Sequence, residues 1–307
     1  MSVGYIGLGN MGGALAERLQ LQHPLVVHDR DPAAVQRLVD RGASACSSTS
    51  ELAARTDLIF ICLPTSREVR EVIFGESGLA DAINPGTLVV DQTSGDPTAT
   101  RAMAAEIEAL GAEMIDAPVS GGVQGAQAGT IAMMVGAKAD QFARIHPVLA
   151  AISPNIFHTG GVGTGHTMKL VNNLISCSQR LLSFEGVALA AKNGIEPRTA
   201  VEILLASGGR NGFLEQVMSP HVINGNLDFG YTLGLAHKDV RLACQLGLDS
   251  EMPMFFGNLT RELYQLCISE RGREAKVDTA ALVVDRLAGT HVVPETELPL
   301  PWPPTGG

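Results

Sequence analysis

Two segments far apart in the chain have the residue types and spacing to do chemistry: a glycine run near the start and a lysine inside a long apolar stretch. The run is Ile6-Gly7-Leu8-Gly9-Asn10-Met11-Gly12, a G-x-G-x-x-G pattern at Gly7, Gly9 and Gly12. Gly7 permits a tight turn, Gly9 lets the backbone approach a pyrophosphate, and Gly12 lets a helix pack closely on a strand. A helix opening here turns free N–H groups and a positive dipole end toward phosphates. Asp29 lies 22 residues beyond Gly7, near the ~20 expected of a carboxylate that bonds a ribose 2′-hydroxyl. That acid would repel a 2′-phosphate and so favours NAD over NADP. Arg30 could pair with a 2′-phosphate and pulls the other way. Asp31, before Pro32, reads as a helix N-cap.

Two loops follow apolar runs of strand length, Leu63-Pro64-Thr65 and Asp91-Gln92-Thr93-Ser94. Ligands bind beyond the carboxyl ends of parallel strands, so both are candidates for ribose and nicotinamide contacts. A third loop, Asp116-Ala117-Pro118-Val119-Ser120-Gly121-Gly122, offers a hydroxyl and two unshielded backbone N–H groups. That is a small anion nest suited to a carboxylate, or else a plain turn. Lys169 stands in Gly163-Thr164-Gly165-His166-Thr167-Met168-Lys169-Leu170-Val171-Asn172-Asn173, with Asn173 at i+4 on the same helix face. From the residues alone, a snorkelling surface lysine is the commoner reading of Lys169. His166 reads as structural. Lys238 could hold a carboxylate or touch a cofactor, while Asp239 reads as a helix-start charge or a salt-bridge partner. Arg210 and Asn211 could contact substrate but read more readily as solvent-facing.

These residues need elements to hold them. Up to Gly160, short apolar strands (Val3–Ile6, Leu25–His28, Leu58–Leu63, Thr87–Asp91, Glu113–Asp116, Ile131–Val135, Asn155–His158) alternate with helical patterns. Those helices are predicted at Gly12–Gln20, Pro32–Arg41, Ser50–Arg55, Glu68–Phe74, Pro97–Leu110 and Asp140–Ala151. Continuous apolar strands between helices imply a parallel sheet covered on both faces. From His166 to Asn193 apolar residues recur at helical spacing, with no Pro and one Gly. Further helices are predicted at Pro197–Ala206, Phe213–Ile223, Leu235–Leu246, Pro253–Glu270 and Thr279–Leu287. The expected fold class is α/β: an N-terminal doubly wound, Rossmann-type sheet, then an all-α C-terminal domain joined by a long helix. The expected divisions are 1–162 for dinucleotide binding, 163–290 for substrate and dimerisation, and a Pro-rich tail, 291–307, that contains Trp302.

Composition narrows the function. Glycine supplies 34 of 307 residues, above the usual ~7 % but without the Gly-X-Y period of collagen. A net charge of −10 and 4 % aromatics argue against nucleic-acid and anionic-membrane partners. No apolar run reaches the ~18 residues of a membrane span, and the first residues lack a signal-peptide pattern. Five widely spaced cysteines form no CxxC or zinc pattern, so no metal is expected. They read as free thiols in a reducing cytoplasm.

In order along the chain, Gly7–Gly12, Asp116–Gly122, Gly163–Asn173 and Lys238–Ala243 resemble the motifs of the β-hydroxyacid dehydrogenase family, which includes 3-hydroxyisobutyrate dehydrogenase and tartronate semialdehyde reductase. The resemblance implies hydride transfer between NAD(P) and a small 3-hydroxy acid, with Lys169 as general acid/base. It implies that Ser120, Gly121, Gly122, Asn173 and Lys238 bind substrate. It implies that Gly7, Leu8, Gly9, Asn10, Met11, Gly12, Asp29, Arg30, Leu63, Pro64, Thr93 and Lys238 contact the cofactor, NAD rather than NADP. A homodimer or homotetramer is implied too. Two alternatives stand beside it: an imine reductase of the same architecture, a group that usually lacks the lysine, and a non-catalytic cofactor-sensing protein.

Overall fold

The computed structural model describes residues 2–228 and 230–294. Most of the Pro-rich tail, with Trp302, lies outside these. The chain divides into two compact units, with the boundary after Leu170.

The first unit is built on one sheet. Its strands are β1 (Val3–Ile6), β2 (Leu25–His28), β3 (Ser44–Ala45), β4 (Leu58–Ile61), β5 (Leu88–Asp91), β6 (Glu113–Asp116), β7 (Val119–Ser120), β8 (Ala132–Gly136) and β9 (Ile156–Gly160). Their order is β3-β2-β1-β4-β5-β6-β8-β7, with β9 also beside β8. β1, β4 and β5 are buried along their whole length, because helices cover both faces and such strands are apolar on both sides. The helices are α1 (Asn10–Gln20), α2 (Pro32–Val39), α3 (Thr49–Arg55), α4 (Ser66–Phe74), α5 (Pro97–Ala109), α6 (Gly122–Ala128) and α7 (Ala139–Leu149). Tyr5 and Phe60 stack in one core layer, and Ile59, Ile61 and Val89 fill the other. At ~1.5–3 kcal/mol for each large apolar side chain buried, these two layers hold the sheet together.

The all-parallel sheet expected from the alternation needs one correction. β8 runs antiparallel to both β6 and β7. An apolar run is silent on direction, and only the connection decides it. β7 and α6, too short to be read in advance, turn the chain back.

α8 (Thr164–Lys192) begins in the first unit. The second unit contains the rest of it, with α9 (Pro197–Leu205), α10 (Leu233–Asp249), α11 (Phe255–Arg271) and α12 (Ala280–Ala288). The predicted helix Phe213–Ile223 is instead a π turn, Leu214–Met218, and a 3₁₀ turn, Val222–Asn224. Pro220 lies between them and cannot donate the helical bond. Phe184, Val201, Leu233, Val240 and Tyr264 form the helical core. Arg180 is buried with them, paired to Asp278 at 2.7 Å and lying over the Phe213 ring. Among the described residues no helix is long and apolar enough to cross a membrane.

Candidate active site

The sheet register builds the site. His28, Ile6, Ile61, Asp91 and Asp116 form one row across β2, β1, β4, β5 and β6. The loops that follow therefore leave from one edge, where the strand order reverses between β1 and β4 and where doubly wound sheets bind ligands.

Helix starts along this edge differ in a telling way. α2, α3, α4 and α5 are capped by the side chains of Asp31, Ser48, Thr65 and Asp96. α1 and α6 start at Gly9 and Gly121, and no side chain caps either. Their first-turn N–H groups lack intrahelical partners. Both starts belong to the glycine clusters read above as phosphate and carboxylate sites.

The three glycines of the first turn are not equivalent. A Cβ on Gly7, where φ is +90°, would meet the Cys62 carbonyl oxygen at 2.2 Å, and one on Gly12 would meet the Gly7 carbonyl oxygen at 2.0 Å. A Cβ on Gly9 would meet nothing within 4 Å. Packing of the chain itself thus explains Gly7 and Gly12. The open space at Gly9 fits the close backbone approach that the pyrophosphate of a dinucleotide requires. Gly122 is equally open, with φ +69°.

Asp29, at the end of β2, accepts the Leu8 N–H at 2.6 Å and the Asp31 N–H at 2.8 Å. It ties the second strand to the glycine turn. Arg37 donates to the Leu8 carbonyl at 3.0 Å, and the Leu8 side chain is core. Asn10 and Arg30 are exposed and Met11 half-buried. The two ribose and nicotinamide candidate loops meet: the Leu63 N–H donates to Thr93 Oγ1 at 3.1 Å, beside exposed Pro64.

Lys169 lies on α8 and is 8 % exposed. In the second unit, Asn173 and Lys238 are each 9 % exposed and share one acid. Asn173 Nδ2 donates to Asp239 Oδ2 at 2.6 Å, and Lys238 Nζ lies 3.1 Å from Asp239 Oδ1. Asp239 is therefore a salt-bridge partner. Arg210 pairs with Glu215 at the surface. Asn211 caps Leu214 N–H.

Two family models match the chain. The NAD binding domain of 6-phosphogluconate dehydrogenase matches residues 2–160, and the NAD-binding domain of NADP-dependent 3-hydroxyisobutyrate dehydrogenase matches residues 163–284. The chain is 37 % identical over 268 residues to 2-(hydroxymethyl)glutarate dehydrogenase of Eubacterium barkeri, covering 86 % of this chain and 88 % of that one. The chain belongs to the β-hydroxyacid dehydrogenase family. Human mitochondrial 3-hydroxyisobutyrate dehydrogenase is 33 % identical over 271 residues, covering 86 % and 81 %. Mycobacterium tuberculosis 3-hydroxyisobutyrate dehydrogenase, solved with L-serine, superposes with a TM-score of 0.83 at 26 % identity over 92 % of this chain and 98 % of that one. A Bacillus cereus imine reductase shares the fold alone, at 18 % identity, a TM-score of 0.59 and coverage of 92 % and 98 %. This β-hydroxyacid dehydrogenase is an NAD(P)-dependent oxidoreductase acting on the CH–OH of a hydroxy acid.

Asp91, Asp116 and His166 each stand in a segment described above, but nothing in their spacing joins them to one another or to Thr100. Asp91, Asp116, Thr100 and His166 are wholly buried and cluster at the strand ends. The available signal was two acids, each closing an apolar strand.

Proposed function

We propose that the substrate is a small 3-hydroxy acid, such as 3-hydroxyisobutyrate or glycerate and its oxidised partner tartronate semialdehyde, and that Lys169 is the general acid/base. The observation that carries this reading is the burial of Lys169. A snorkelling surface lysine lies along the exterior with its head in water, whereas a lysine almost wholly buried inside a cofactor-binding unit is a candidate for a functional role. In oxidation Lys169 takes the hydroxyl proton, and in reduction it returns it. Ser120 and the backbone N–H groups of Gly121 and Gly122 hold the carboxylate. Asn173, oriented by Asp239, contributes the second N–H of its amide. Lys238 adds positive charge for the substrate or the nicotinamide end. NAD(P), when bound, supplies the two-electron partner for hydride exchange at the alcohol carbon.

Asp29, at the end of β2, supports NAD over NADP, although one matching family model describes an NADP-dependent enzyme. The free thiols of all five cysteines support a cytoplasmic setting, and the net charge of −10 supports small-molecule rather than nucleic-acid partners. A homo-oligomer is supported by Ile175, Leu182 and Leu189. They recur every seven residues along α8 and are 52 %, 69 % and 67 % exposed, an apolar stripe that a second copy would cover. Light scattering of Leu182→Glu should show a smaller species than wild type, and an unchanged mass would count against this interface.

Lys169→Ala should lose roughly 10²–10⁴-fold in turnover while fluorescence titration still shows NAD(P)H binding. Near-normal turnover would overturn the assignment. Wild-type binding of NAD(P)H without turnover on any 3-hydroxy acid would favour a cofactor sensor.

A further inference from the structure

Asp91 and Asp116 are register partners at the ends of adjacent parallel strands, both wholly buried. Neighbouring carboxylates in an apolar sheet repel, and each needs donors. Asp116 takes its donors from the start of α8: Oδ1 accepts the Gly163 N–H at 2.6 Å, and Oδ2 accepts the His166 N–H at 2.7 Å. Asp91 Oδ1 accepts the Thr93 N–H at 2.9 Å. The His166 ring lies between the two acids. Its Nε2 is 3.9 Å from Asp91 Oδ2 and its Nδ1 4.0 Å from Asp116 Oδ2, with Nδ1 also 2.8 Å from Thr100 Oγ1. Asp91 Oδ2 and His166 Nε2 have no hydrogen-bond partner, so the ring faces that acid directly. Burial pushes the Asp116 carboxyl above its usual range, against the pull of His166 and the two N–H groups.

Three glycines make room for this cluster. A Cβ on Gly136 would stand 2.4 Å from Asp116 Oδ1, and one on Gly95 would stand 3.0 Å from His166 Cε1. A Cβ on Gly165 would stand 2.2 Å from the Met134 carbonyl oxygen and 2.8 Å from Asp116 Oδ2. The first turn of α8 is therefore pressed onto β8 around the Asp116 carboxylate.

We propose that Asp116 and His166 are positioning residues, locking the first turn of α8 to the strand ends so that Lys169 is held in register with the Thr93 and Ser120 loops. The proposal rests on the acid/base reading of Lys169, which follows His166 by three residues on the same helix. A slip of one residue along a helix is ~1.5 Å, and a misplacement of ~1 Å at a reacting group costs as much as 10²-fold. Asp91 completes the device by fixing Thr93 through its other oxygen.

The test is a pair of variants measured in two backgrounds. Asp116→Asn puts an amide N–H against an α8 donor and should lower kcat about 10–100-fold, with the NAD(P)H dissociation constant within about threefold of wild type and KM moved less than kcat. Thr100→Val frees the His166 ring without touching the helix start and should show a smaller fall in kcat. It decides the matter if Asp116→Asn does not fold. In a Lys169→Ala background either substitution should cost no more than about twofold, because the group being positioned is gone. Equal losses in both backgrounds, or cofactor affinity falling in step with kcat, would overturn the proposal. Near-normal turnover of Lys169→Ala alone removes the acid/base reading instead, so the two failures are distinguishable.

Discussion

The starts of α1 and α8 show opposite uses of one piece of physics. Each first turn has backbone N–H groups without intrahelical partners and a positive dipole end. At α1 the N-cap is Gly9, no side chain caps it, and a Cβ there would meet empty space. At α8 a buried carboxylate from β6 takes the Gly163 and His166 N–H groups, and a Cβ on Gly165 would strike backbone. An open start leaves room for a ligand, and a filled one ties the helix to its own chain. Glycine serves both, for opposite reasons: at Gly9 it leaves room for something outside the chain, and at Gly165 it lets the chain close on itself. α3 is the ordinary third case, capped locally by Ser48.

That contrast can be broken by substitution. The largest effect is expected from Gly165→Ala, whose methyl cannot fit 2.2 Å from the Met134 carbonyl oxygen. It should cost about 2–4 kcal/mol, read as a fall of several degrees in Tm by calorimetry, with kcat falling too. An unchanged Tm would mean that the helix start has slack. Gly9→Ala should do the reverse, leaving the Tm of the ligand-free protein within about 2 °C while weakening NAD(P)H binding about tenfold or more. If stability falls and affinity does not, α1 is not the pyrophosphate site. Asp29→Ala sharpens the cofactor reading: the ratio of kcat/KM for NAD over NADP should drop severalfold, and a constant ratio would assign the preference elsewhere.

The smallest effects belong to α3. Ser48→Ala should cost about 1 kcal/mol in denaturant unfolding. Bonds from the Ser47 N–H and hydroxyl hold the Glu51 carboxyl below its usual range. A carboxyl depressed on folding stabilises the protein above its unfolded pKa, and that contribution is lost as pH falls through the folded value. Ser47→Ala should therefore move the Glu51 titration upward by NMR and flatten the acid limb of the stability curve slightly.

Much of this was legible in the sequence. The glycine spacing, the apolar strands and the long helical run are local patterns, and they appear where the periodicity put them, within a few residues at the ends. The direction of β8, the short β7 and α6, and the break at Pro220 were not legible, because pairing partners and packing decide them. Burial separated residues that read alike. Lys169 and Lys192 are both lysines of α8, yet Lys169 is buried and Lys192 is exposed.

By itself, the sequence determined the sheet-then-helices order, the glycine turn between β1 and α1, and the family, since each is written in residues near one another along the chain. Only the tertiary structure decided that Asp91, Thr100, Asp116 and His166 form one buried cluster. Asp116 and the His166 N–H are 50 positions apart, and Thr100 and the His166 ring are 66 apart. Contacts at that separation have no periodicity to betray them. They exist because five strand ends line up in register and a helix start with glycine at 163 and 165 can lie against them.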